Sequence, residues 1–162
     1  MFLRRFFVGA LALAAAMPAS AHGPGHAMSG GRIGQAGKVT RVIDVAATDH
    51  AFSLKSLDVR DGETVRFVVR NDGHDSHELL IGTVAEHAEH RKMMRDMLER
   101  QKSGQHDHAS MGAMTHSSGV TVAPGQTATF VWTFARTPDL EFACDIPGHY
   151  EDGMKGVIRF VK

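Results

Sequence analysis

Cysteine is almost absent: Cys144 is the only one in 162 residues. A lone thiol excludes a thioredoxin-like Cys-x-x-Cys pair and any metal site built on several thiolates. Charge of one sign is lacking too, with 18 Lys plus Arg against 18 Asp plus Glu. No broad basic surface argues for nucleic acid, and no acidic tail argues for a basic partner. Long apolar runs are also missing. The one at residues 6–16 is too short to cross a bilayer, which takes about 20 apolar residues. What remains is a chain with room for one domain and an ordinary hydrophobic content of 43%. Against one tryptophan and one tyrosine it carries 11 histidines and nine methionines. Ligand chemistry, beyond packing, has shaped part of such a sequence.

The amino terminus indicates where the protein works. Arg4 and Arg5 precede the apolar run, and Ala19-Ser20-Ala21 forms a small-residue cleavage signal. Residues 1–21 therefore read as an export signal cut after Ala21, which predicts a periplasmic protein with no membrane span. Arg4-Arg5-Phe6-Phe7 also has something of a twin-arginine signal, although ordinary secretion accounts for it as well. Residues 22–37 follow as a flexible segment that opens on His22 and contains His26. A free amine beside an imidazole chelates divalent copper, so this end is a candidate second copper site. The plain alternative is a solvated leader.

From residue 38 the texture is that of strands, at residues 39–45, 64–69, 78–81, 120–122, 128–134, 140–144 and 156–161. Turn signals separate them at Asp61-Gly62, Asn71-Asp72-Gly73, Pro124-Gly125 and Pro147-Gly148. Seven to eight short strands at this spacing predict an all-β sandwich or barrel over residues 38–162.

Residues 83–119 interrupt the pattern. Residues 83–102 lack glycine and proline and are rich in helix formers, which predicts an inserted helix. His87, His90, Met94 and Met97 fall along one face of it. That stripe is either a packing surface or a metal-binding one. Residues 103–119 are low in complexity and read as a flexible loop with His106, His108, Met111, Met114 and His116. These too are candidate secondary copper ligands, the alternative being a solvated linker.

The stretch CDIPGHYEDGMKG, residues 144 to 156, carries the chemistry. Cys144, His149 and Met154 are spread along one short loop. A structural zinc site takes four Cys or His ligands and does not use a thioether. A dinuclear copper centre bridged by two thiolates needs a second cysteine. A cysteine protease would leave the methionine unexplained. Mononuclear copper fits, because two imidazoles, a thiolate and a weak axial thioether make the trigonal electron-transfer site. The second imidazole comes from residues 71 to 82, NDGHDSHELLIG. His77, at the start of an apolar strand, is better placed for this than His74, which sits inside the turn.

Asn71-x-Gly73-x-x-x-His77-Glu78-Leu79, followed by Cys144-x-x-Pro147-Gly148-His149-x-x-x-Gly153-Met154-x-Gly156, resembles the cupredoxins, which include plastocyanin, azurin and auracyanin. The resemblance covers about residues 38–82 and 119–162. It implies a Greek-key β-sandwich with one type 1 copper near one end, held by His77, Cys144, His149 and Met154. The exported, His- and Met-rich form with a helical insertion is most similar to periplasmic copper-tolerance cupredoxins. Two features depart from plain electron carriers: Glu78 stands where many have Asn or Ser, and the insertion has no counterpart.

The expected function is copper tolerance or homeostasis in the periplasm, with one-electron Cu(I)/Cu(II) transfer as the chemistry. The alternative is a diffusible electron carrier that docks on a periplasmic redox partner through an apolar rim around His149. An enzyme is not expected. Copper oxidases and nitrite reductases need a further catalytic copper, usually held by histidines from another domain.

Overall fold

A computed structural model describes residues 29–103 and 118–162. The expected export signal, His22, His26 and all five candidate donors at residues 106–116 lie outside the described residues.

Two five-stranded sheets form the body. The first is built from β1 (Gly31–Ile33), β2 (Arg41–Thr48), β3 (Ala51–Phe52), β5 (Thr64–Asn71) and β8 (Thr127–Phe134), in the order β1-β8-β5-β2-β3. The second holds β4 (Ser56–Val59), β6 (His77–Thr83), β7 (Gly119–Val122), β9 (Leu140–Ala143) and β10 (Lys155–Phe160), in the order β4-β10-β9-β6-β7. Between consecutive described strands the chain changes sheet five times, giving the expected Greek-key β-sandwich. There are ten strands among the described residues rather than seven or eight. The extra ones are short edge or flanking pieces: β1 and β3 have three and two residues, and β4 pairs in parallel with β10. Pieces this short carry too little alternation to be read from sequence.

Alternation explains the core. Val65, Phe67 and Val69 of β5 are buried, as are Trp132 and Phe134 of β8, opposite Leu79 and Ile81 of β6 and Phe142 of β9. Sheet-on-sheet burial of this set is the main stabilising contribution, at about 1.5–3 kcal/mol for each large apolar side chain.

Strands β6 and β9 break the alternation, since both of their faces are buried. The cause is α1 (Val84–Lys102), which packs on them from outside. Leu80 is sealed from solvent yet stands apart from the inter-sheet core, as a residue pointing away from that core under a covering helix must. The helix begins on a capping box. Thr83 accepts from the Glu86 backbone amide, and the Glu86 carboxylate returns to the Thr83 amide. Such reciprocal caps satisfy two otherwise orphaned donors. Their effect here is to start the helix as soon as β6 ends.

Candidate metal centre

Antiparallel pairing of β6 with β9 brings the beginning of one strand beside the end of the other, with Leu80 opposite Ala143. His77 opens β6 and Cys144 follows β9. Local chemistry fixes each donor. The buried Asn71 amide donates to the carbonyls of Asp75 and Val122, both at 2.8 Å, while its oxygen accepts from the Gly73 amide at 2.9 Å. One side chain thus locks the turn that delivers His77. Gly73 is required by close approach: a Cβ there would collide with the Asp49 carboxylate and lie 2.9 Å from His77 Nε2.

The loop between β9 and β10 is closed by its own backbone. The Cys144 amide donates to the Met154 carbonyl and the Met154 amide to the His149 carbonyl, each at 3.0 Å. Gly148 and Gly153 both have φ of 96°, a region that favours glycine, and they turn the chain ahead of His149 and Met154.

The donors meet. His77 Nδ1 lies 3.3 Å from His149 Nδ1, which lies 3.4 Å from Cys144 Sγ. His77, Cys144 and Met154 are fully buried and His149 is 5% exposed. The Glu78 backbone amide donates to Cys144 Sγ at 3.4 Å. The residue type at 78 therefore matters less to this contact than its place in the strand, because the donor is main chain. His74 is 95% exposed and pairs with Asp49 at 2.8 Å, outside the cluster.

Burial sets the protonation. It pushes the Cys144 thiol up to about 12, reinforced by the negative charges of Glu78 and Asp145 and opposed by the amides of Glu78 and Ile146. Burial also holds His77 and His149 below the usual imidazole value, with mutual repulsion adding to the effect on His77. The two imidazoles are thus kept in the neutral, ligating form. A cation arriving here must displace the thiol proton.

Residues 39–161 match the model of the copper binding proteins of the plastocyanin/azurin family. The chain belongs to this family. Among its relatives, this cupredoxin is 39% identical to the copper-resistant cuproprotein CopI of Pseudomonas aeruginosa, over 96% of this chain and 97% of that protein. It is 40% identical to CopI of Rubrivivax gelatinosus, over 86% and 80%. Solved structures agree on the fold. Auracyanin B superposes with a TM-score of 0.61 at 16% identity, over 83% of this chain and 97% of that one. The dithionite-reduced auracyanin of Roseiflexus castenholzii gives 0.58 at 20% identity, over 76% and 98%. The protein is a copper-binding cupredoxin related to copper resistance, and two imidazoles, a thiol and a buried thioether fit that metal.

The helical stripe of the cupredoxin meets the ligand loop. His87 and His90 are buried, and their Nδ1 atoms lie 2.8 and 3.5 Å from Asp145 Oδ2. Met94 and Met97 are half-buried on the same helix. Arg91 pairs with Asp145 and Glu151, both at 3.5 Å, and lies over the Tyr150 ring at 3.5 Å. The stripe reaches residues that adjoin Cys144 and His149. Asp145 and Arg91 were not among the residues singled out in the sequence. The only local signal was the Asp next to Cys144.

The surroundings of His149 include polar groups. The His50 ring lies 4.5 Å from its ring, His50 is hydrogen-bonded to Asp152, and His50, Asp75 and His149 offer donor atoms within 4.8 Å of one another. Among the described residues, no helix is long and apolar enough to cross a membrane.

Proposed function

We propose that the protein is an exported, periplasmic type 1 copper protein serving copper tolerance, with one-electron exchange as its chemistry. The observation that carries this reading is the convergence of His77 Nδ1, His149 Nδ1 and Cys144 Sγ in a buried cradle. Met154 would be the fourth donor, supported by its burial and by the backbone bonds that tie it to Cys144 and His149. The names of the CopI relatives support the tolerance role.

Bound copper supplies a one-electron couple. The chain supplies rigidity: the Asn71 lock, the closed loop and the covering helix would hold Cys144, His77, His149 and Met154 in place around such an ion. Such rigidity would limit rearrangement on a change of charge and so favour fast exchange. The Glu78 amide directed at the sulfur stabilises its thiolate form.

Copper(II) titration of the mature chain tests the reading. One tight equivalent should develop an intense visible band from sulfur-to-copper charge transfer, reversibly bleached by a one-electron reductant. Cys144→Ser should lack the band while keeping the same circular dichroism. A Cys144→Ser chain that retained the band would overturn the assignment.

A further inference from the structure

Among the described residues, a second trio of metal-binding side chains brings its donor atoms within 4.8 Å of one another: His50, Asp75 and His149. Three separate segments meet there. His50 comes from the β2–β3 turn, Asp75 from the turn that delivers His77, and His149 from the ligand loop. His50 has φ of 62°, a left-handed conformation uncommon for a residue with a side chain, though histidine tolerates it better than most. This turn carries its ring over that of His149, tilted by 30°. Its Nδ1 is hydrogen-bonded to Asp152. A carboxylate on one ring nitrogen fixes the tautomer and turns the other nitrogen into a ligand, which is the usual support for a metal-binding imidazole.

We propose that His50, Asp75 and His149 form a second cation site, an entry site that takes copper(II) from solution before the buried triad is filled. The proposal rests on the copper reading of that triad.

Exposure orders the two sites. The His50 side chain is 41% exposed and Asp75 is open to solvent, whereas His77 and Cys144 are sealed. An approaching ion meets the outer donors first. Their chemistry selects its form, because imidazole and carboxylate suit divalent copper and the outer group has no thiolate or thioether to favour Cu(I). Asp49, Asp75 and Asp152 give the rim negative charge that draws cations in. His149 belongs to both groups. A neutral imidazole has a single lone pair for an ion, and His149 Nδ1 already faces His77 and Cys144. The ring serves one site at a time, which makes the outer group a point of passage rather than a store.

The test follows loading. Copper(II) is mixed with the metal-free full chain in a stopped-flow instrument, and growth of the sulfur-to-copper band is recorded across copper concentrations. In the unaltered chain the rate should level off at high copper, the sign of an ion held before transfer. His50→Asn and Asp75→Asn should each load on the order of tenfold more slowly, with no levelling off and the same final band. Asparagine accepts the left-handed backbone at residue 50, and circular dichroism checks that both variants fold. The His- and Met-rich segments are common to all three chains and drop out of the comparison. A band that grows at the unaltered rate in both variants overturns the entry site alone. A band that never forms in the unaltered chain overturns the copper reading of the triad and this proposal with it.

Discussion

His87 Nδ1 lies 2.8 Å from Asp145 Oδ2, and both side chains are fully buried. The inserted helix is therefore tied to the residue that follows Cys144. In His87→Ala, the charged partners left to Asp145 among the described residues are His90 and Arg91, each 3.5 Å away. The expected loss is about 1–3 kcal/mol, the cost of leaving a buried polar group short of a partner. Urea unfolding of the metal-free chain measures it. An unchanged midpoint would show that the helix does not brace the loop.

Gly73→Ala should disturb the centre without touching a donor. The added methyl meets the Asp49 carboxylate and His77 Nε2. Overpacking of this kind costs about 1–3 kcal/mol. The copper band should shift or broaden as His77 is displaced, and a spectrum identical to that of the unaltered chain would contradict the tight turn.

Met154→Leu conserves volume in a fully buried position, so the fold should lose less than about 1.5 kcal/mol. Copper should stay bound, but without the weak thioether donor Cu(II) is disfavoured and the reduction potential rises. Voltammetry decides: an unchanged potential would remove Met154 from the ligand set.

The thiol gives a pH prediction for the metal-free chain. Burial raises the Cys144 value from 9.0 to about 12, so folding favours the protonated form. That contribution is fully present below pH 9 and is lost as pH rises from 9 toward 12, because the unfolded chain releases its proton first. Denaturation midpoints taken from about pH 8 to about pH 11 should fall more steeply for the unaltered chain than for Cys144→Ser. Parallel slopes would refute it.

Replacing His106, His108, Met111, Met114 and His116 together with serine should leave the coloured centre intact and lower the number of copper ions bound per chain. Equilibrium dialysis with metal analysis reads both. Unchanged stoichiometry would reduce the segment to a linker.

The buried cluster was legible because Cys144, His149 and Met154 share one short loop and because an apolar strand begins at His77. The sandwich was legible from other residues, the β-branched and aromatic runs that form β5 and β8 and the turn signals between such runs. Other features depend on contacts between distant segments. His50 looks like any turn histidine until the β2–β3 turn is seen to lean over His149. His87 and His90 form a stripe whose spacing is the same whether it faces a carboxylate, a core or an ion, and only the docking of α1 on β6 and β9 reveals Asp145 as their partner. The capping box at Thr83 and Glu86 was present in the sequence as Thr-x-x-Glu and announces the start of the helix.

The two imidazoles that face each other come from residues 72 positions apart in the chain. They meet only after β6 has paired with β9, a non-local step of the kind that slows folding. An unfolded chain offers copper the short 144–154 stretch but no enclosed set of donors. Metal affinity is thereby linked to the completed topology, and the ion acts as a thermodynamic staple across it. By mass action, each tenfold rise in free copper above its dissociation constant adds about 1.4 kcal/mol to the folded state. The folded chain would therefore resist unfolding most when the metal is in excess.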